Sequence, residues 1–268
     1  DLHSFPTRRS SDLQLEVIDA RIASISGTSI RGLHWGKTQV TATVDGYFYV
    51  LPIEVRPKGA VACPMVSAGY THSVALKSDG TVWAWGSNYS GELGDGTAST
   101  NANDPNYKKA LPVQVNGPDG SGYLTGIVSI VAGVSCSIAL KFNGSLWSWG
   151  YNSSGQLGDG TTANRNAPVQ VKGTDGSGYL TDVIAMDAGS RYSIVLKSDG
   201  SVWSWGNSNH GKLGNGTSGT DQISNPTDRL TPVQVKGANG SGYLSDVVVI
   251  YAGYDHSIVL KSDGSVWA

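Results

Sequence analysis

The chain has 268 residues, a formal net charge of −2 at pH 7 and only 15% charged residues. That balance gives no basic footprint for nucleic acid, and no apolar run reaches the ~20 residues of a membrane-spanning helix, so neither a nucleic-acid partner nor membrane insertion is expected. Thirty-six glycines and eight tryptophans suit an all-β protein with many tight turns, while Cys63 and Cys136 lack metal-ligand spacing and leave the redox compartment open.

Residues 1–13, DLHSFPTRRSSDL, match nothing downstream and lack the apolar stretch of a secretory signal. They resemble a translated sequencing adapter and read as a non-native or disordered tail, so Arg8-Arg9 carries no targeting meaning. Residues 14–57 have a different texture. Ile25–Ile30, Thr38–Val44 and Tyr47–Val55 alternate with period two, and Asp45-Gly46 is placed as a hairpin turn. The order I-S-G-T-S-I-R-G, W-G-K-T-Q-V-T-A-T-V-D-G, I-E-V resembles the second half of a group-2 bacterial immunoglobulin-like domain. That resemblance implies a partial β-sandwich in a surface protein. Pro57-Lys58-Gly59 reads as a linker into residues 58–268.

The rest of the chain repeats itself. Ser67–Thr97 recurs as Ala132–Thr161 and Ala188–Thr217 and begins again at Ala252–Ala268, with anchoring glycines Gly69, Gly133, Gly189 and Gly253 spaced 64, 56 and 64 residues apart. Such a period signals stacked or radial repeats. In each unit an alternating run (His72–Leu76 in the first) meets an Asp-Gly or Asn-Gly turn and then a Trp-x-Trp strand. Trp83/Trp85, Trp147/Trp149 and Trp203/Trp205 each share one face of their strand, and the pairs are expected to glue neighbouring units together. Leu111–Val115, Ala167–Val171 and Thr231–Val235 open on or near proline and suit an outer edge. Ile127–Ala132, Val183–Ala188 and Val247–Ala252 supply one more strand per unit. Four strands per unit is the arithmetic of a propeller blade, with blades near 61–115, 127–171, 183–235 and, truncated, 247–268. The Gly-x-x-Gly-Ser-Gly-Tyr-Leu stretches are expected as structured turns anchored by Tyr123, Tyr179 and Tyr243.

The ordered set A-G-x-x-[HCY]-S-[IV]-[AV]-L-K-x-[DN]-G-[ST]-[VL]-W-[SA]-W-G, with its G-[EQK]-L-G-[DN]-G-T tail, resembles the regulator of chromosome condensation repeat. The resemblance covers roughly Val61 to Ala268 and implies a seven-bladed propeller. This chain carries three full units and part of a fourth, an incomplete propeller, and so reads as a fragment.

Chemistry finds little support in the residues. His72, Cys136, Tyr192 and His256 share one repeat position, each followed by serine, but a nucleophile system needs one activated pair within hydrogen-bond reach. A position that recurs per blade and accepts three residue types is expected to be structural. Asp95, Asp159 and Asn215, with Asp119, Asp175 and Asn239, offer at most one carboxylate per turn, too few for calcium, and suit Asx turns. No cofactor is expected.

Function is therefore placed on a surface. The length variation is confined to Ala98–Ala110, Thr162–Asn166 and Ser218–Leu230, which marks loops on one face of the ring. Tyr107, Lys108, Lys109, Arg165, Asp221 and Arg229 in these loops are the expected binding residues. The reading is a non-catalytic module that recognises a protein or polysaccharide at the bacterial cell surface or outside the cell. The family resemblance implies two alternatives: a guanine-nucleotide exchange factor for a small GTPase, and a propeller-type enzyme inhibitor.

Overall fold

The computed structural model describes residues 62–220 and 225–268 in full, together with five strands within residues 14–55. Residues 1–13, the Asp45-Gly46 turn, the Pro57-Lys58-Gly59 linker and Asp221 lie outside the described residues. The chain divides into two compact units, Asp1–Cys63 and Pro64–Ala268. In the first, β1 (Gln14–Val17), β4 (Gly36–Val44) and β5 (Tyr47–Val55) form an antiparallel sheet in the order β1-β4-β5, and β2 (Ala23–Ser26) pairs with β3 (Ser29–Gly32).

The second unit is all-β, an incomplete propeller of four-stranded antiparallel blades in chain order. Blade one holds β6 (Met65–Ala68), β7 (His72–Leu76), β8 (Val82–Ser87) and β9 (Lys108–Gln114). Blade two holds β10 (Ile127–Ala132), β11 (Cys136–Lys141), β12 (Leu146–Gly150) and β13 (Arg165–Gln170). Blade three holds β14 (Val183–Ala188), β15 (Tyr192–Lys197), β16 (Val202–Gly206) and β17 (Arg229–Gln234). The fourth sheet has β18 (Val247–Ala252), β19 (Ser257–Lys261) and β20 (Val266–Trp267). Pro112, Pro168 and Pro232 sit in the outermost strands, where a missing N–H costs no ladder bond. Successive sheets pack face to face, β10 against β6 and β7, and β18 against β14 and β15.

Each hairpin is closed the same way. Asp79 Oδ1 accepts the Thr81 N–H at 2.9 Å, and Asn143, Asp199 and Asp263 do the same for Ser145, Ser201 and Ser265. A neutral amide oxygen serves as well as a carboxylate, so the turn asks for an acceptor and not a charge.

The members of the tryptophan pairs contribute unequally to the joints between blades, although in blade three both pack against the core shared with blade two. Trp149 and Trp205 are fully buried between blades. Trp149 Nε1 donates to the Glu92 carbonyl of the preceding blade at 2.9 Å, and Trp205 Nε1 to the Gln156 carbonyl at 2.9 Å. A Cβ on Gly158 would stand 2.6 Å from Trp205 Nε1, so only glycine lets the indole in. The other members are only partly buried: Lys77 Nζ lies 4.3 Å from the Trp83 ring and Lys141 Nζ 5.1 Å from the Trp147 ring, while Trp203 packs against the core between blades two and three. Between the third and fourth sheets, Lys212, Gly214, Val235, Leu244 and Ser257 line a cavity of about 520 Å³ at the corresponding place.

The second lock runs along the hub. The anchoring glycines stack blade on blade: a Cβ on Gly69 would collide with the Gly133 carbonyl, and one on Gly189 with that of Gly253. Ser137 Oγ donates to the Glu92 carbonyl at 3.0 Å, Ser193 Oγ to Gln156 at 2.9 Å and Ser257 Oγ to Lys212 at 3.2 Å. With its hydrogen so used, Ser137 accepts from His72 Nε2 at 2.9 Å. The turns expected to be anchored by tyrosine are held by the tyrosine backbones and by a buried leucine beside each. Leu124, Leu180 and Leu244 are buried, and Tyr123, Tyr179 and Tyr243 bridge through their backbones with rings more than half exposed.

Two predictions follow from these locks. Trp205→Ala removes a fully buried indole with its bond to the preceding blade and is expected to cost about 3–5 kcal/mol, against about 1–2 kcal/mol for Trp203→Ala, which loses only partly buried contacts with the same core, as measured by urea unfolding. Equal losses would contradict the unequal contribution. Burial pushes His72 down to about 4 from 6.5, so its stabilising contribution is complete above pH 6.5 and is lost as the pH falls toward 4. His72→Cys, which copies Cys136, should remove roughly 3 kcal/mol of that acid-side loss, read as the difference between the two stability profiles.

Candidate functional site

The ends of the blades are not equivalent. Because β7 starts opposite the end of β8, with His72 facing Gly86, the connection entering β7 and the long one leaving β8 emerge together, and the same holds in blades two and three. At this end the hub opens into a cavity of about 430 Å³ shared by all four sheets. Tyr89, Glu92 and Tyr107 come to it from blade one, Tyr151 from blade two, Arg191 from blade three and Tyr254 from the fourth.

Local hydrogen bonding sets the blade-one wall. The Asn88 N–H donates to the Tyr107 carbonyl at 2.8 Å, and Asn88 Nδ2 reaches the Thr97 carbonyl at 2.9 Å while Oδ1 accepts the Leu93 N–H at 3.1 Å. One asparagine thus pins both ends of the long connection. The Tyr89 and Tyr107 rings meet edge to face with centroids 6.3 Å apart. Across the mouth, the Arg191 guanidinium lies 5.8 Å from the centre of the Tyr151 ring. Glu92 forms the floor and is 3% exposed. Its Oε2 accepts the Ser90 N–H at 2.8 Å. Burial pushes its carboxyl above the usual range, against the pull of the backbone N–H groups of Glu92, Ser90 and Gly91.

Of the expected binding residues that are described, only Tyr107 reaches this mouth. Lys108, Lys109, Arg165 and Arg229 are not loop residues: they open the outer strands β9, β13 and β17, because a register shift next to Gly86, Gly150 and Gly206 lets pairing restart at Lys109, Arg165 and Arg229. Arg165 has its charge engaged within its blade, with Nε 2.8 Å and a terminal nitrogen 2.7 Å from Asp159 Oδ2. Burial opposes ionisation of Asp159, but the hydrogen bonds from Thr161 and Arg165 hold its carboxyl below the usual range. Lys109 Nζ donates to Asn106 Oδ1 at 2.9 Å.

The recurrent His/Cys/Tyr position is an inter-blade tie. Tyr192 OH donates to the His256 carbonyl at 2.6 Å and lies 3.1 Å from Ser257 Oγ. Burial pushes the Cys136 thiol up to about 12 and the Tyr192 hydroxyl up to about 12, the wrong direction for a nucleophile. Asp95, Asp159 and Asn215 each accept the N–H of the threonine two residues on, which makes them Asx turns. Among the described residues no three His, Cys, Asp or Glu side chains gather as a metal site.

Comparison with known proteins returns the same architecture. A family model described as "Regulator of chromosome condensation (RCC1) repeat" matches residues 143–196 and 199–260. A second model of the same description matches residues 66–92, 127–156 and 183–212. Mouse E3 ubiquitin-protein ligase HERC2 is 29% identical over 201 residues, which is 75% of this chain and 4% of that protein. The Arabidopsis thaliana ultraviolet-B receptor UVR8 is 28% identical over 204 residues, 76% of this chain and 40% of the receptor. Yeast RCC1 (Prp20), solved bound to Kap60, superposes with a TM-score of 0.59 at 18% identity, over 86% of this chain and 52% of that one. The chain therefore spans at most about half of the length of these relatives. With repeat models matched across more than half of its residues, the chain belongs to the regulator of chromosome condensation (RCC1) repeat family.

Proposed function

We propose that this chain is a non-catalytic protein-binding module whose partner docks at the tyrosine-lined mouth of the hub. The observation that carries the reading is the convergence of Tyr89, Tyr107, Tyr151 and Tyr254 from three different sheets onto one cavity. Tyrosine gives large amphipathic contact area with few rotors to freeze, the property that makes it a recurrent binding anchor. Tyr89 and Tyr254 keep 50% and 65% of their surface in solvent, Tyr89 between the buried Asn88 and Ser90. A protein is favoured over a polysaccharide because, among the described residues, no indole lines the mouth to stack on a sugar ring. We extend the reading to an extracellular or cell-surface bacterial protein on the strength of the group-2 immunoglobulin-like resemblance of residues 14–57. Protease shaving of intact producing cells tests this placement, and full protection of the chain would overturn it.

The docking face is tested by a photo-cross-linking residue placed at Tyr254 or at Phe142, which is exposed on the opposite end of blade two. Protein adducts are expected from the Tyr254 position, and adducts from Phe142 alone would refute the assignment. For the captured partner, the triple substitution Tyr89→Ala, Tyr107→Ala, Tyr254→Ala should weaken binding by at least about tenfold. Arg165→Ala with Arg229→Ala should leave affinity unchanged.

A further inference from the structure

Glu92, Gln156 and Lys212 occupy one position in three successive blades, and all are buried, with 3%, 1% and 7% exposure. In blade two the position does its structural work with a neutral group: Gln156 Oε1 accepts the Ser154 N–H at 2.9 Å. Glu92 Oε2 makes the same bond to Ser90 at 2.8 Å. The carboxylate charge is therefore superfluous to the fold. In blade three the charge is balanced, since Lys212 Nζ lies 2.9 Å from Asp255 Oδ1 and 3.1 Å from the Ser190 carbonyl. Glu92 has no such counter-ion among the described residues. A buried charge without a partner costs stability that an amide of the same shape would not.

The surroundings supply a reason to keep it. Glu92 floors the mouth beneath tyrosine rings, whose faces attract cations, most strongly where water is excluded. The chain already seats its own cations on rings at this level: Arg191 over Tyr151 at 5.8 Å and Lys212 over Tyr192 at 5.6 Å. Arg191 is the one cationic side chain lining the cavity, and it forms no ion pair with Glu92. We propose that the mouth receives a basic side chain of the protein partner, arginine above all, with Glu92 as its counter-ion and the tyrosines as its walls. The inference rests on the protein-binding reading above and names the chemistry of what enters. A cavity of about 430 Å³ holds a guanidinium with its methylene stem.

The test titrates the full chain with argininamide and with its uncharged analogue citrullinamide, followed by amide chemical shifts. Glu92→Gln is the informative variant because it writes blade two's residue into blade one and keeps the Ser90 bond. Saturable shifts at the mouth are expected with argininamide, weakened at least tenfold in Glu92→Gln, and no saturation is expected with citrullinamide. Glu92→Gln should also melt several degrees higher at pH 7. Equal argininamide affinity in the two proteins, equal binding of the two ligands, or an unchanged melting temperature would each overturn the proposal. If argininamide does not bind but the tyrosine triple variant still loses the captured partner, the counter-ion role falls and the docking face stands. If argininamide binds through Glu92 while the triple variant keeps the partner, the docking face falls.

Discussion

The carbonyl at residues 92, 156 and 212 is the point on which the stack turns. At Glu92 and Gln156 it accepts two hydrogen bonds from the next blade, one from a serine hydroxyl at the start of the second strand and one from an indole N–H on the third. Two donors separated along a strand pair fix both the distance and the rotation of the incoming sheet. The seat must be lined by Gly94 or Gly158, since a side chain there would occupy the space of the indole ring. The Gly-[Glu/Gln/Lys]-Leu-Gly tail is thus the socket, and Trp149 and Trp205 are the plugs. Hydrophobic contact then fills in around a geometry already set: Ile138, Leu140, Leu146 and Val171 of blade two close on Val183, Met186 and Val195 of blade three.

Much of this architecture was legible because repetition converts sequence into geometry. A turn written as Asp-Gly, Asn-Gly and Asp-Gly again has to be a backbone device, and the structure spends those side chains on the Asx bonds of the hairpins. The tryptophan pairs were harder. Spacing by two places both rings on one face, but which ring meets the neighbour depends on how the sheets tilt across each other, a property of the assembled stack. Trp147 lies toward the hairpin, where Lys141 covers it, whereas Trp149 lies toward the socket. The outer strands began earlier than the hydrophobic pattern indicated. Lys108–Lys109 and Arg165 are strand residues without strand composition, admitted by the register shift beside Gly86 and Gly150.

The tyrosine-lined cavity was not legible in the sequence, for a physical reason. Tyr89, Tyr151 and Tyr254 lie far apart in the chain and at non-equivalent repeat positions, so no local pattern joins them, and only the packing of the sheets side by side does. A weak signal existed. The residue after each anchoring glycine is Tyr70, Val134, Ser190 and Tyr254, and the one after each Trp-Gly is Ser87, Tyr151 and Asn207. Positions that drift inside an otherwise rigid repeat are those the fold does not use. Weighting that drift above loop length would have directed attention to the hub and away from Arg165, which Asp159 already holds.

The same logic separates the two kinds of buried polar group in this chain. Ser137 and Ser193 each direct a hydroxyl to the carbonyl of the preceding blade, and their burial is offset by the bond they make. Such groups explain themselves. At the 92/156/212 position the backbone is invariant in its task while the side chain runs from acid to amide to base, so the fold requires the main-chain oxygen and tolerates any long side chain above it. Where that side chain is neutral or paired, nothing is left over. Where it is Glu92, a negative charge remains that its bond to the Ser90 N–H does not require, at the mouth of the hub with the tyrosines. A repeat protein that stabilises itself through identical joints is free to differ only where the joints do not reach, and that residual charge stands at such a place.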